Sequence, residues 1–185
     1  MSNINDFVIE DGILARYNGS DAEVVIPDGV TEIKNYAFSS KTFLKSVIIP
    51  NSVTHIGFSA FQCCTALENV KLGNALKVIA DSAFSECYAL KRITIPCTMT
   101  AIGALAFNDC SALENAIFDN CDGWTVYSEQ YDDDMEMFFS ELKNHITSED
   151  LADPSNAAAC LSKKCSAYYW CCNDMSYLEY MKSFQ

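Results

Sequence analysis

The chain contains 185 residues, 50% of them hydrophobic, and it carries a formal net charge of -13. Its hydrophobic content is that of a folded protein, and no apolar run approaches the ~18 residues that a membrane-spanning helix needs. The excess of acidic residues excludes the basic stripe of a nucleic-acid-binding surface, and an anionic membrane would repel it, so we expect neither nucleic-acid binding nor membrane insertion.

The acidic residues are concentrated at the two ends of the chain. Residues 24–118 contain seven acidic and seven basic side chains, whereas residues 119–185 contain thirteen acidic and four basic ones. The N-terminal segment has neither a basic n-region nor a long apolar stretch, so we expect no signal peptide in this chain. Localisation stays open between the cytoplasm and an exported protein whose leader has been removed.

Residues 1–23 are predicted to form a hairpin cap. The segment FVIEDGILARY places two apolar runs on either side of Asp11-Gly12, a pair that is typical of a type I′ turn. We expect the second strand of this hairpin to pair with the next structural unit and so to protect its edge.

A repeat of 23 residues fills the central segment, residues 24–118. Four full copies begin at Val24, Val47, Val70 and Ile93, and a partial fifth begins at Ala116. A fixed period of this length predicts a solenoid, in which each copy is one coil that cannot bury its apolar face alone. Apolar residues at the first and third positions of each copy predict a short strand, and equivalent strands should form a parallel sheet.

Later positions of the repeat predict the core of the stack. Every full copy contains an Ala-Phe pair, which predicts one stacked ring per coil, and Cys64, Cys87 and Cys110 share one position. A small side chain at a constant position of this kind is predicted to be a buried thiol. The other cysteines share no position, so a disulfide framework is not expected. They are Cys63, Cys97, Cys121, Cys160, Cys165, Cys171 and Cys172.

The segment SVTHIGFSAFQCCTALENV resembles the BspA-type (Treponema pallidum-type) leucine-rich repeat, whose hallmark is IP-x-x-V-T-x-I-x-x-x-A-F-x-x-C-x-x-L. The copies depart from it at Lys41, where the Cys belongs, and at residues 73–77, where GNALK replaces the IP-x-x-V-T element. The resemblance implies an α/β repeat solenoid, a right-handed leucine-rich-repeat stack. It also implies a surface or secreted protein of a host-associated bacterium that takes part in adhesion.

Residues 119–185 are predicted to form an acidic C-terminal cap. The strand pattern continues through Phe118, and the segment GWTV is predicted to be a further short strand that lays Trp124 over the last coil. Asp153-Pro154 is a good N-cap and first-turn pair, and apolar residues then recur at spacings of three and four. The pattern therefore predicts a helix over about residues 154–170.

No catalytic residue, cofactor or metal site is predicted. The run of acids at 132–136 lacks the turn glycine of a calcium loop, because Met137 stands in its place, so it is interpreted as a solvated acidic patch or the start of a helix through Met135, Phe138 and Leu142. The C-terminal cysteines and His145 lack the C-x-x-C spacing of a zinc site. Neither His145 nor His55 is tied by its spacing to a thiol nucleophile.

The candidate site is the outward face of the predicted strands, because stacked repeats usually present a ligand site on this concave strip. The alternative interpretation is an ordinary solvated sheet face. The predicted function is a non-enzymatic module that binds a protein or glycan, with a cytosolic scaffold or adaptor as the alternative; the oligomeric state is open and a monomer is plausible. The candidate partner-binding residues are Val25, Ser46, Ile48, Asn69, Lys71, Arg92, Thr94 and Asn115.

Overall fold

The computed structural model describes residues 3–120, 122, 124–131, 137–141, 148–164 and 169–172. In chain order the strands are β1 (Phe7–Glu10), β2 (Ile13–Tyr17), β3 (Glu23–Val25), β4 (Glu32–Ile33), β5 (Ser46–Ile48), β6 (His55–Ile56), β7 (Asn69–Lys71), β8 (Val78–Ile79), β9 (Arg92–Ile95), β10 (Ala101–Ile102), β11 (Asn115–Phe118), β12 (Trp124–Tyr131), β13 (Met137–Glu141) and β14 (Tyr169–Cys172). A short 3-10 helix (Ile4–Asp6) precedes β1, and the other helices are α1 (Ser148–Ala152) and α2 (Pro154–Ala159), which continues into a π-helical segment (Cys160–Lys164). Within the described ranges, no helix is long and apolar enough to cross a membrane.

The N-terminal hairpin has the turn that the sequence predicts. β1 and β2 pair antiparallel, and the turn between them places Asp11 at φ 50° and Gly12 at φ 80°. Two successive positive φ angles are characteristic of a type I′ turn. β2 then pairs in parallel with β4 through Leu14↔Ile33, so that the hairpin covers the edge of the first coil.

Sheet I contains one strand from each coil, in the order β11-β9-β7-β5-β3. Neighbouring strands are parallel, and paired residues are one repeat apart, as in Val24↔Val47 and Val47↔Val70. β11 adds the strand of the partial fifth coil through Ala116↔Ile93. The stacked coils and their parallel strands confirm the predicted solenoid.

Sheet II is a second ladder that the sequence analysis did not predict. Its order is β1-β2-β4-β6-β8-β10-β14-β12-β13, and its central strands are only two residues long. Their parallel pairs, Ile33↔Ile56 and Ile56↔Ile79, repeat the 23-residue register. These isoleucines are buried, but a strand of two residues is too short to show the alternation by which a strand is predicted from sequence.

Aromatic rings form a column through the interior of the solenoid. Phe38, Phe61, Phe84 and Phe107 are buried, and the centroids of successive rings are 4.8, 5.0 and 5.3 Å apart. Tyr17 of β2 stacks on Phe38 at 5.1 Å, so the hairpin continues the column with a ring of its own. The predicted ring of each coil is therefore part of one apolar core.

The three cysteines at the shared repeat position are buried thiols, as predicted. Burial raises the pKa of Cys64 to about 12, and a hydrogen bond with Cys110 together with burial raises the pKa of Cys87. Each Sγ donates to a main-chain oxygen of the preceding coil, which satisfies the thiol inside the core. The bonds are Cys64 to Phe38 at 3.2 Å, Cys87 to Phe61 at 3.3 Å and Cys110 to Phe84 at 3.2 Å.

Two turn positions of each full coil adopt a left-handed backbone conformation without glycine. Such conformations normally favour Gly, Asn or Asp, because a Cβ crowds the main chain there. These turns therefore could not be predicted from the residue types at the two positions. The residues are Tyr36, Ser59, Ser82 and Leu105 at the first position, and Ser40, Cys63, Glu86 and Asp109 at the second.

The C-terminal helices pack against β11 at the end of sheet I. Asp153 caps α2 by accepting a hydrogen bond from Ser155 N at 2.8 Å, and Pro154 occupies the first turn, as predicted. The prediction of a helix up to about residue 170 is wrong, because the helical segment ends at Lys164 and residues 169–172 form β14. β14 pairs with β10, so strand pairing at an otherwise open edge overrides the local helical spacing.

Both tryptophans of the chain contact the last strand of sheet I. Trp124 meets Phe118 edge-on at 5.4 Å, and Trp170 of β14 stacks on Phe118 at 6.2 Å. The predicted strand that lays Trp124 over the last coil is therefore confirmed. Trp170, which is buried, has the same role but was assigned to a helix by the sequence analysis.

The acidic segment is a strand where the structure describes it. Met137–Glu141 is β13, which pairs with β12, so the helix through Phe138, one of the two interpretations of this segment, is wrong. Residues 132–136, with their three aspartates and one glutamate, lie outside the described residues. The division of the chain into segments at residues 23 and 118 stays a prediction.

Candidate binding face

The outward side chains of sheet I form two rows that follow the solenoid axis. Alternation along each strand sends the middle residue into the core and the first and third residues outward. All eight predicted residues lie in these rows, which we call the strand face; all are exposed except Ser46, which is half-buried. The first row is Glu23, Ser46, Asn69, Arg92 and Asn115, and the second is Val25, Ile48, Lys71, Thr94 and Ile117.

A shallow depression of about 360 Å³ lies over β5, β7 and β9. Six of the predicted residues line it, while Val25 and Asn115 lie outside it on the flanking strands. The sequence analysis therefore found the face but not the depression. The lining residues are Ser46, Val47, Ile48, Asn69, Val70, Lys71, Arg92, Ile93 and Thr94.

The depression coincides with a local parting of sheet I. β5 and β7 pair over three residues, whereas β7 and β9 pair only through Asn69↔Arg92. Ile49 N donates to Lys71 O at 2.9 Å, but within residues 3–120 no equivalent bond joins Leu72 to the next coil. Val70 is consequently half-buried, although its counterparts at the same repeat position are at most 1% exposed.

The separation of β7 from β9 has a cause in the sequence of the third coil. Gly73 stands where the other full coils have proline, and a Cβ placed on it would overlap the Pro50 carbonyl and lie 2.9 Å from Asn51 Cα. The missing side chain lets the end of β7 approach the second coil closely. Beyond Gly73, a hydrogen bond still joins the third and fourth coils, since Thr98 Oγ1 donates to Leu76 O at 2.8 Å.

Two cations stand at the depression. Lys71 and Arg92 are exposed, and within residues 3–120 neither forms an ion pair with a carboxylate within 4.0 Å. The charges at the positions just before β5, β7, β9 and β11 alternate in sign and balance one another, so Lys71 and Arg92 are a local excess of positive charge at the depression. The alternating residues are Lys45, Glu68, Lys91 and Glu114.

Exposed aromatic residues lie on the turn side of the coils. Phe58 is 39% exposed and meets Tyr36 edge-on at 5.3 Å, and Phe43 is 37% exposed with Lys41 Nζ 5.9 Å from its ring centroid. Each of these rings therefore has a local partner in its own or the adjacent coil. This favours local packing of both rings over a separate contact patch.

The described histidine and the half-buried thiol of Cys63 show no activation for catalysis. Desolvation lowers the pKa of His55, whose Nδ1 lies 2.8 Å from Thr54 Oγ1. Desolvation and the neighbouring Glu86 raise the pKa of Cys63, whereas a catalytic thiol needs a lowered pKa. Among the described residues, no three His, Cys, Asp or Glu side chains are grouped as for a metal ion. Cys165 and His145 lie outside those residues.

Residues 15–128 match the family model of the BspA type leucine rich repeat region, in six copies. The chain belongs to this family. The match begins in β2 and ends in β12, so it includes sequence on both sides of the four full copies and one partial copy that the repeat analysis counted. No curated protein matches the chain.

Solved structures of other leucine-rich repeat proteins share the fold. A T. pallidum leucine rich repeat protein is 34% identical over 60% of this chain and 57% of its own, with a TM-score of 0.59. One from Bacteroides capillosus is 27% identical over 64% of this chain and 98% of its own, with a TM-score of 0.54. A leucine rich cell surface protein from Faecalibacterium prausnitzii is 32% identical over 58% of this chain and 35% of its own, with a TM-score of 0.51. This BspA-type chain therefore spans just over half of the first relative and about a third of the last.

Proposed function

We propose that this BspA-type protein is a non-enzymatic binding module that holds a protein partner on its strand face, as a surface adhesin or host-interaction protein does. The observation that carries the proposal is the depression over β5, β7 and β9, where apolar and cationic side chains stand exposed together. Solenoids commonly bind through such extended faces, because the stack holds each strand rigidly in place.

The composition of the face supports a binding role over a purely solvated surface. Ile48 is 41% exposed and Val25 is 54% exposed, and they lie side by side at the same position of adjacent strands. An apolar pair beside cations resembles the apolar centre and polar rim of a protein interface. The relative from F. prausnitzii is described as a cell surface protein, which supports a role outside the cell for this chain.

A charge-reversal variant tests the proposal. Ile48→Asp, Lys71→Glu and Arg92→Glu are combined in one protein, and its binding to an array of immobilised host matrix proteins and glycosaminoglycans is compared with that of the parent. The matched control combines Leu105→Asp, Lys34→Glu and Lys77→Glu, which change exposed residues of a turn and of the positions next to β4 and β8 and give the same change of charge. We expect ligands bound by the parent to be lost only by the first variant. Unchanged binding of every such ligand by that variant would remove the strand face from consideration.

The alternative function, a cytosolic scaffold or adaptor, is favoured by the state of the cysteines. Cys63 and the exposed Cys97 are free thiols, which persist in a reducing compartment. Thiol titration of the denatured protein from its native source distinguishes the two functions. Ten reactive thiols would favour the cytosolic scaffold, and several protected pairs would favour an exported protein.

A further inference from the structure

Four polar residues frame the parted strands of the depression. Lys71 and Arg92 lie on neighbouring strands but in opposite rows, so they occupy one diagonal of a square whose other corners are Asn69 and Thr94. In a regular ladder, strands about 4.8 Å apart with a rise of about 3.3 Å per residue would put the two cationic Cα atoms roughly 8 Å apart, and the parting beyond Asn69↔Arg92 widens that distance. We call these four residues the quartet. Flexible side chains of this length span that distance, so both cations can reach one ligand group placed between them.

The quartet is suited to an anionic group. Its two cations are exposed and lack carboxylate partners within residues 3–120, while its other two corners supply an amide and a hydroxyl that form hydrogen bonds without adding charge. The Arg92 guanidinium can bind a carboxylate through two parallel hydrogen bonds. In a chain whose formal net charge is -13, such a local cationic site gives the strand face a charge preference opposite to that of the molecule as a whole.

The surroundings of the quartet favour a polypeptide ligand over a glycan. Ile48 borders Lys71 along the second row, and the parting leaves Val70 half-buried beside it. Neither row contains an aromatic ring on which a sugar ring could stack. An apolar side chain next to an acidic one matches this arrangement.

We propose that the quartet binds an acidic side chain of a partner protein, with an adjacent apolar side chain of that partner packed on Ile48. The inference rests on the proposed function of the strand face and specifies the chemistry of its partner. Because the cations are exposed, the contribution of each is small and is weakened by salt. The site therefore selects among partners more than it creates a tight complex.

Fluorescence anisotropy with a labelled peptide of alternating Glu and Leu residues tests the inference, using the full chain at low ionic strength. We expect saturable binding that salt weakens, and a loss of about two- to fivefold in affinity for Lys71→Gln and for Arg92→Gln. The control Lys77→Gln removes one exposed cation that lies outside the strand face and should leave affinity within about twofold of the parent. Circular dichroism verifies that each variant keeps the fold of the parent.

Further probes separate the inference from the function on which it rests. The acidic ends of the chain attract a peptide of alternating Lys and Leu, so Lys71→Gln and Arg92→Gln should not weaken its binding, whereas Ile48→Asp should weaken binding of the acidic peptide. If Lys71→Gln and Arg92→Gln leave acidic-peptide binding unchanged while Ile48→Asp weakens it, the strand face binds proteins but the quartet does not select acids. If Lys71→Gln and Arg92→Gln weaken the binding of heparin but leave the binding of the acidic peptide unchanged, the ligand is a sulfated glycan and the inference is overturned. If no variant of the strand face alters the binding of any ligand, the proposed function is refuted as well.

Discussion

The stacked ring of Phe84 offers the most direct test of the solenoid core. The ring is 0% exposed and lies nearly parallel to Phe61 at 5.0 Å and to Phe107 at 5.3 Å, with interplanar angles of 3° and 7°. Phe84→Ala removes both stacked contacts and opens a cavity that two neighbouring coils border. A large-to-small change of this kind lowers the free energy of unfolding by about 3–5 kcal/mol. Because two ring contacts, each worth ~1 kcal/mol, are lost as well, we expect the loss for Phe84→Ala to lie near the upper end of this range.

Phe58→Ala is the matched control for this prediction. Phe58 lies in the neighbouring coil, but it is 39% exposed and its recorded ring contact is with Tyr36, so its removal should cost about 1 kcal/mol or less. Both variants have the same change in composition and in helix or strand propensity. The difference between them therefore isolates the burial of the ring in the stack.

Urea unfolding followed by far-ultraviolet circular dichroism measures the two costs. This signal reports on strands throughout the chain, whereas tryptophan fluorescence reports mainly on Trp124 and Trp170 at the C-terminal end. In thermal unfolding followed by the same signal, we expect Phe84→Ala to lower the melting temperature by on the order of 10 °C and Phe58→Ala by a few degrees at most. Equal free energies of unfolding for the two variants, within ~1 kcal/mol, would refute a continuous buried column.

Two further predictions concern the third coil and the thiols. Gly73→Ala should destabilise the protein by about 2 kcal/mol or more, because the added Cβ would overlap the Pro50 carbonyl. The control Gly29→Ala places its Cβ in open space and should cost only ~1 kcal/mol, because the φ of Gly29 is positive. Urea unfolding measures the free energy of unfolding of both variants, and equal losses would refute the close approach of Gly73 to Pro50. The pKa of Cys64 is raised to about 12 from an ordinary value of 9.0, so its stabilising contribution is complete below pH 9 and is lost as the pH rises from 9 to 12. The free energy of unfolding should therefore fall over that range less steeply for Cys64→Ala than for the parent, and identical slopes would contradict a buried, protonated thiol.

Much of the solenoid could be predicted because the same residue type recurs at the same position in every coil. The recurring Phe and Cys positions are buried, and the apolar first position of each full copy lies in a strand of sheet I, whereas the third position lies within the strand only in the fourth copy and directly after it in the other three. A residue that deviates in one copy matters little when the other copies keep the pattern, so the fold could be predicted from the periodicity. The strand face followed from simple alternation, and its eight predicted residues all lie in the two outward rows.

The errors lie where the repeat ends. The apolar spacing after Pro154 is compatible with a long helix, but the edge of β10 is completed by β14, and Trp170 is thereby placed on Phe118. A local pattern cannot show that a distant strand edge needs a partner. The same holds for β13, whose pairing with β12 replaces the predicted helix.

By itself the sequence determined the period of the stack, the residues of its core and the face that its strands turn outward. Those properties depend on side-chain identity and on spacing along the chain, which the repeat states four times. Only the tertiary structure decided that Gly73 draws β7 toward the second coil, that the ladder to β9 parts, and that Lys71 and Arg92 frame the resulting depression. The physical reason is that these features depend on contacts between coils, where the absence of one side chain changes the distance between two strands.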